Sequence, residues 1–413
     1  MNPELTSEAA AAMAPPRRKQ PSLFEFTAML AMLFATVSFS IDAMLPALPE
    51  IGAALSPDNL NKAQLVLTAF VFGMGAGTFF AGPLSDAFGR KPAIAGGVAL
   101  YVLGALLAAM APTLEMMLLA RFIQGLGAAG PRIVGLAMVR DQYSGREMAR
   151  VTSFVMMIFM LAPAVAPSIG QLIILVAGWR GVFLAFIVFG LTGLLWVSLR
   201  QPETLERPHR RPLHLATLVA AAREVLSNRE VVIYTMVMTL GFAQMFAMIS
   251  SAQQIFDITY DRGESFPRWF ALMAVISAIG TMLNAKFVMK LGMRKIVSWA
   301  YLMQVVSAGL MLALARGDAL SPALKFPVFF IWAVSLMFMA GVTFGNLNAL
   351  ALQKMGHIAG MAASIVAAIS TVFAVLIAAP IGLMFNGTPV PLVSGALICS
   401  ALAWLLMRQT EEF

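Results

Sequence analysis

Long apolar runs alternate with short polar breaks along the whole chain. Twelve of them stand out, at 24–45, 65–81, 93–110, 116–138, 154–176, 182–199, 231–255, 269–288, 296–315, 328–346, 358–384 and 391–407. None carries the period-two alternation of a barrel strand, and each is long enough to span a hydrocarbon layer about 30 Å thick as a helix. Inside lipid a backbone must satisfy its own hydrogen bonds, and a helix does so within one segment. The pattern therefore predicts an all-α integral membrane protein with twelve transmembrane helices.

Composition agrees. Of 413 residues 60% are hydrophobic and 12% charged, with a mean hydropathy of +0.84, against about 25% charged in a soluble domain. So few charges cannot coat a water-soluble surface. The net charge of +8 would suggest nucleic acid in a soluble protein, but here it sits in the breaks between runs. Placing the N-terminus inside gives 19 Lys and Arg on that side, among them Arg17, Arg18, Lys19, Arg90, Lys91, Arg140 and Arg211, against 6 on the other. The positive-inside rule then puts both termini in the cytoplasm and excludes nucleic acid as the partner. Cys399 is the only cysteine and His209, His214 and His357 all fall in breaks, so no disulfide framework, metal site or cofactor is expected. No phosphate-binding glycine loop or serine–histidine arrangement suggests an enzyme. The first run is full length and is expected to stay as a helix, not to be cleaved as a signal peptide.

The longest polar interruption, 201–230, divides the chain. It gives a cytoplasmic tail at 1–22, a six-helix bundle at 23–200, a central cytoplasmic loop at 201–230, a second six-helix bundle at 231–407 and a tail at 408–413. Within the loop, LHLATLVAAAREVL at 213–226 has the pattern of a short amphipathic helix on the inner leaflet, or of a plain linker. The halves echo each other: FGRK at 88–91 with LGMRK at 291–295, and APSIG at 166–170 with APIG at 379–382. A duplicated transporter with its site between the halves follows from this organisation.

Charged groups inside the runs point to chemistry. Asp42 is the one carboxylate well inside an apolar run, and Arg121 lies in the fourth run. At 1.5 Å per residue Asp42 lies about 5–9 Å from the outer end of its helix and Arg121 roughly 8–13 Å below its own. Their depths overlap, so a pair is expected, direct or through water. A carboxylate that meets water in one state and loses it in another changes its proton affinity between them. Asp42 and Arg121 are therefore the candidates for proton coupling, the alternative being a static ion pair. Arg132, eleven residues after Arg121, shares its face to within about 20°. It is a candidate cavity residue favouring an anionic or zwitterionic group, or a residue that binds a carbonyl or snorkels inward.

GPLSDAFGRKP at 82–92 resembles the inner-loop signature G-x-L-x-D-x-x-G-R-K of the major facilitator superfamily, through Gly82, Leu84, Asp86, Gly89, Arg90 and Lys91. RFIQGLG at 121–127 is similar to the family's R-x-x-Q-G-x-G, and LAPAVAPSIGQ at 161–171 resembles its antiporter element, on Ala162, Ala166, Pro167 and Gly170, with alanines and a glutamine where glycines are usual. SIDAMLPALP around Asp42, VRDQY, GWRGVF and QPETL are similar to segments of the Bcr/CflA branch. The resemblance implies a major facilitator fold and proton-driven export of amphipathic drugs from a bacterial inner membrane by a monomer. It implies a gating loop at Gly82, Asp86, Gly89, Arg90 and Lys91, and a cavity lined by Phe39, Gln124, Gln244 and Asn346. A transporter for one metabolite, an amino-acid derivative or organic anion, is the alternative that Arg132 supports.

Overall fold

A computed structural model describes residues 21–210, 213, 215–317 and 320–410. The 1–20 portion of the expected tail with Arg17, Arg18 and Lys19, together with Arg211, His214 and residues 411–413, lies outside the described residues. Among the described residues every regular element is helical: α1 Leu23–Asp42, α2 Leu48–Leu55, α3 Gln64–Phe88, α4 Arg90–Met110, α5 Leu114–Gln142 and α6 Gly145–Arg200 in the first half. Then follow α7 Leu215–Ser227, α8 Arg229–Gln254, α9 Phe266–Leu291, α10 Met293–Arg316, α11 Pro322–Leu352, α12 Ala359–Leu383 and α13 Val390–Arg408, with short 3₁₀ or π turns between some of them.

Eleven helical stretches are long and apolar enough to cross a membrane, and one of them, α6, has 56 residues. At 1.5 Å per residue that is about 84 Å, far more than one crossing needs. Its interior break is Gly178, at φ 64° and ψ −178°, a conformation essentially reserved for glycine. The two arms of α6 are separate crossings, so the expected twelve stand. The helices start where the sequence supplies caps: Ser22 accepts from the Glu25 N–H, Thr113 from Met116, and Asn228 from Glu230 and Val231. Each cap satisfies N–H groups that the helix itself leaves open.

Gly82–Pro92 is less of a loop than its polarity suggests. Helix α3 continues to Phe88 and α4 begins at Arg90, leaving Gly89, at φ 104°, as the whole turn. Only glycine takes that angle without strain, and it lets a basic signature be presented by two helix ends. Most of the stretch at 213–226 does form a helix, α7 from Leu215, with Leu218, Ala221 and Val225 buried.

The two halves meet along α3 with α12 and α6 with α9. Their cores are unequal at the two ends of the molecule. Towards the face away from Arg90, one apolar core runs through both halves, joining Val66, Phe70 and Met117 to Ala243, Ala374 and Ala378. Towards the face that carries Arg90, Arg140 and Lys354, each half has its own core: Phe26, Phe34, Val98 and Met138 in the first, Tyr234, Val297, Leu350 and Met407 in the second. We call these ends the opposite face and the basic face. A cavity of about 610 Å³ opens between the separate cores at the basic face. The bundle is fused at one end and split at the other.

Candidate functional site

Arg121 occupies the middle of the first half with no exposed surface. Its Nε donates to the Val66 carbonyl of α3 at 3.2 Å, one terminal nitrogen to Gln124 Oε1 at 2.6 Å and the other to the Ser40 carbonyl of α1 at 3.0 Å. The guanidinium also lies 4.3 Å from the Phe70 ring centroid, where the ring quadrupole attracts a cation. The planar fork thus ties α1, α3 and α5 together through carbonyl dipoles. Ser40 completes the knot, its hydroxyl 2.6 Å from that of Tyr101.

The expected direct pair with Asp42 is absent: the structure holds no hydrogen bond or ion pair between the two side chains. Geometry gives the reason. Asp42 follows Ser40 by two residues, which turns its side chain about 200° around the helix axis, away from the neighbours of Ser40. Asp42 is nonetheless 3% exposed and forms no hydrogen bond or ion pair with any described residue. It is a buried carboxyl group at the end of α1.

Helix α6 holds this end of α1 in place. A Cβ on Gly170 would overlap the backbone carbonyl of Ala43, the residue after Asp42, and Ala166 and Pro167 are buried one turn away. Ala162 is half-buried. The small-residue element therefore brings α6 against α1 beside the acid.

At the basic face Arg90 is a hub. It reaches both oxygens of Asp141 at 2.8 and 3.2 Å, Ser85 Oγ at 2.8 Å, and Asp86 in a close ion pair. The Glu203 carboxylate accepts from the backbone N–H groups of Arg90 and Lys91 at 2.9 and 3.1 Å, capping α4 where its dipole favours an anion. Lys91 Nζ donates to the Ser198 carbonyl at 2.9 Å. Asp141 and Glu203 were not singled out from the sequence. The available signal was the single acidic residue in each of two segments that carry the resemblance, VRDQY and QPETL. The second half carries a looser counterpart, in which Glu230 meets Lys354 at 2.8 Å and Arg294 at 3.5 Å.

The opposite face is closed by uncharged groups. Asn61 Nδ2 donates to the carbonyls of Leu383 and Phe385 at 3.1 and 2.7 Å, and Gln64 Nε2 to Gln254 Oε1 and the Gly382 carbonyl at 2.6 and 3.2 Å. Ser251 Oγ donates to Gln64 Oε1 at 2.9 Å and Gln254 Nε2 to Asn61 Oδ1 at 2.7 Å. Every bond crosses between the halves. Sequence reading passed over these amides, whose only signal was their place at the ends of the second and seventh runs.

The expected cavity residues divide. Gln124 is engaged by Arg121, and its Nε2 is buried without a partner. Gln244 Oε1 accepts from Ser400 at 2.8 Å, and Asn346 donates to Asn284 at 2.7 Å. Phe39 packs against Phe186 and Phe189, with centroids 5.4 and 5.2 Å away. These four make their contacts inside their own half, and none of them lines the 610 Å³ cavity. Arg132 is partly exposed and stands beside Ile133, which does line it together with Ala137 and Arg140.

Comparison with known proteins now decides the family. The sequence profile described as Major Facilitator Superfamily matches residues 28–379. The chain belongs to the major facilitator superfamily. It is 29% identical over 398 residues to a bicyclomycin resistance protein homolog of Haemophilus influenzae, covering 94% of this chain and 97% of that one. With the multidrug resistance protein MdtL of Escherichia coli it shares 30% over 335 residues, 78% of this chain and 80% of that protein. In structure it is similar to the xylose transporter XylE from E. coli in a partially occluded inward open conformation, with a TM-score of 0.72 at 14% identity, covering 94% and 98% of the two chains. The protein is a multi-pass membrane transporter of this superfamily and not an enzyme.

Proposed function

We propose that this transporter exports amphipathic small molecules in exchange for protons, as a monomer in a bacterial inner membrane, with the basic face and both termini in the cytoplasm. The names of the bicyclomycin and multidrug resistance relatives favour export of drugs. The excess of Lys and Arg on the face that carries Arg90 favours its assignment as cytoplasmic. The observation that carries the coupling is Asp42, a buried carboxyl group at the end of α1 with no ion pair among the described residues. Such a group holds its proton while desolvated and releases it where water reaches it. Arg121 acts on α1 through the Ser40 carbonyl, so a movement of α1 relative to α5 alters the surroundings of Asp42 two residues further on. Protonation and substrate release are then linked by one helix.

The test is transport by purified protein in liposomes with an imposed proton gradient and a pH dye inside. Asp42→Asn abolishes gradient-driven drug accumulation and the accompanying proton flux, while downhill drug movement persists. Unchanged coupling in Asp42→Asn would refute the assignment. A carrier for one organic anion is the second reading, favoured by Arg132, whose guanidinium bonds no described residue.

A further inference from the structure

The one acidic side chain that lines the basic-face cavity, Asp86, and three carboxylates of the same face, Asp141, Glu203 and Glu224, are each committed to a base or a donor. Asp86 pairs with Arg90, and Asp141 binds Arg90 and the Thr204 hydroxyl. Glu224 lies 2.6 Å from the His357 ring nitrogen, and Glu203 accepts four backbone N–H groups. Two cations are left over. Arg140 lines the cavity, and Arg132, partly exposed but outside that lining, lies eight residues earlier on α5, about 12 Å along the axis at 1.5 Å per residue. Neither forms a hydrogen bond or ion pair with a described residue. Arg132 is the sharper case. It follows Pro131 within a membrane-crossing helix, where an unmatched guanidinium is costly and persists when it meets water or a ligand.

Resting on the export reading above, we propose that the cavity selects molecules with an anionic group, a carboxylate or phosphonate, on an apolar body. Arg140 receives the anion at the basic face and Arg132 holds it deeper between the bundles, where the planar fork takes two oxygens at once. The apolar body rests on Phe79, Ile133, Ala137 and Ile365, which line the same cavity. A cationic ligand of equal shape meets the uncompensated Arg140 guanidinium at the cavity and no uncommitted carboxylate in its lining.

Flow dialysis with purified protein in nanodiscs, without any gradient, tests this on three probes of matched size: 2-naphthoxyacetate, its uncharged methyl ester and a naphthyl trimethylammonium. The acid is expected to bind at least about tenfold tighter than the ester, as a charge-assisted contact would give, and the cation weakest. Arg132→Gln removes most of that preference, with its folding checked separately by gel filtration and thermal unfolding; Arg132→Lys keeps part of the preference. Equal affinity for acid and cation, no measurable binding of the acid, or a preference that survives Arg132→Gln with Arg140→Gln overturns the proposal. Binding is read without a proton gradient, so loss of coupling in Asp42→Asn and loss of anion preference are separate results.

Discussion

Arg121 is held by three acceptors in three directions: two backbone carbonyls on different helices and one amide oxygen on its own. A guanidinium can do this because its donors are spread in a rigid plane, whereas the lysine ammonium offers three donors from one point on a flexible stem. Arg121→Lys therefore keeps the charge and loses the geometry, leaving at least one carbonyl and the already half-satisfied Gln124 without a donor. With about 1.5–3 kcal/mol for each lost bond to a charged group, the variant unfolds several degrees lower in a detergent melt. Its transport in the liposome assay falls below about a tenth of the parent, because α1 is no longer held to α5. Retention of full transport would show that charge alone suffices at this position. The sequence displayed Arg121 and Asp42 plainly, since a charge in an apolar run is conspicuous. It did not display their partners, because backbone carbonyls leave no mark in a sequence, and a two-residue offset on one helix reverses a side chain's direction.

At the level of elements, Gly178 divides one continuous helical stretch into two crossings. A Cβ there meets nothing within 4 Å, so any cost of substitution comes from the backbone angle alone. Gly309, inside α10, also has open space around its Cβ position but has no unusual angle. The two positions separate conformation from packing. Gly178→Ala should destabilise by about 1–3 kcal/mol, while Gly309→Ala should stabilise by about 0.5–1 kcal/mol. Thermal unfolding of the two variants gives shifts of opposite sign; a neutral Gly178→Ala would mean the break relaxes to another turn. Elements of this kind were the most legible part of the chain. Lipid forces each crossing to be a long apolar run, so the runs at 154–176 and 182–199 fell on the two sides of Gly178. Their ends were less legible. Polar residues at 82–88 read as a loop, yet the helix carries them because Ser85 and Asp86 find a partner in Arg90. Arg90 stands only four residues beyond Asp86 in the sequence, but its place between Ser85, Asp86 and Asp141 is set by the turn at Gly89.

For the whole molecule, the proposed export, run by alternating access, requires the end that is fused to open while the split end closes. Six hydrogen bonds from Asn61, Gln64, Ser251 and Gln254 cross the opposite face, and none involves a charged side chain. Neutral amides suit a seal that must break in every cycle, since each bond is exchanged for one to water at a net cost near 1 kcal/mol rather than the larger cost of separating buried ions. Gln64 takes part in three of the six, so Gln64→Leu moves the equilibrium towards opening by about 3 kcal/mol, roughly two orders of magnitude in population. The single cysteine, Cys399, is buried, which makes a clean reporter available. In a Cys399→Ser background, Ala378→Cys places a thiol one turn before Gly382 on the same face of α12, beneath the seal. The Ala378 position is 2% exposed and should react slowly with a membrane-impermeant maleimide added from the opposite face. Adding Gln64→Leu should raise that rate at least about tenfold, and Gln254→Leu should raise it further. An unchanged rate in the Gln64→Leu, Gln254→Leu double variant would mean that the apolar core shared by both halves, not the amide network, holds this end shut.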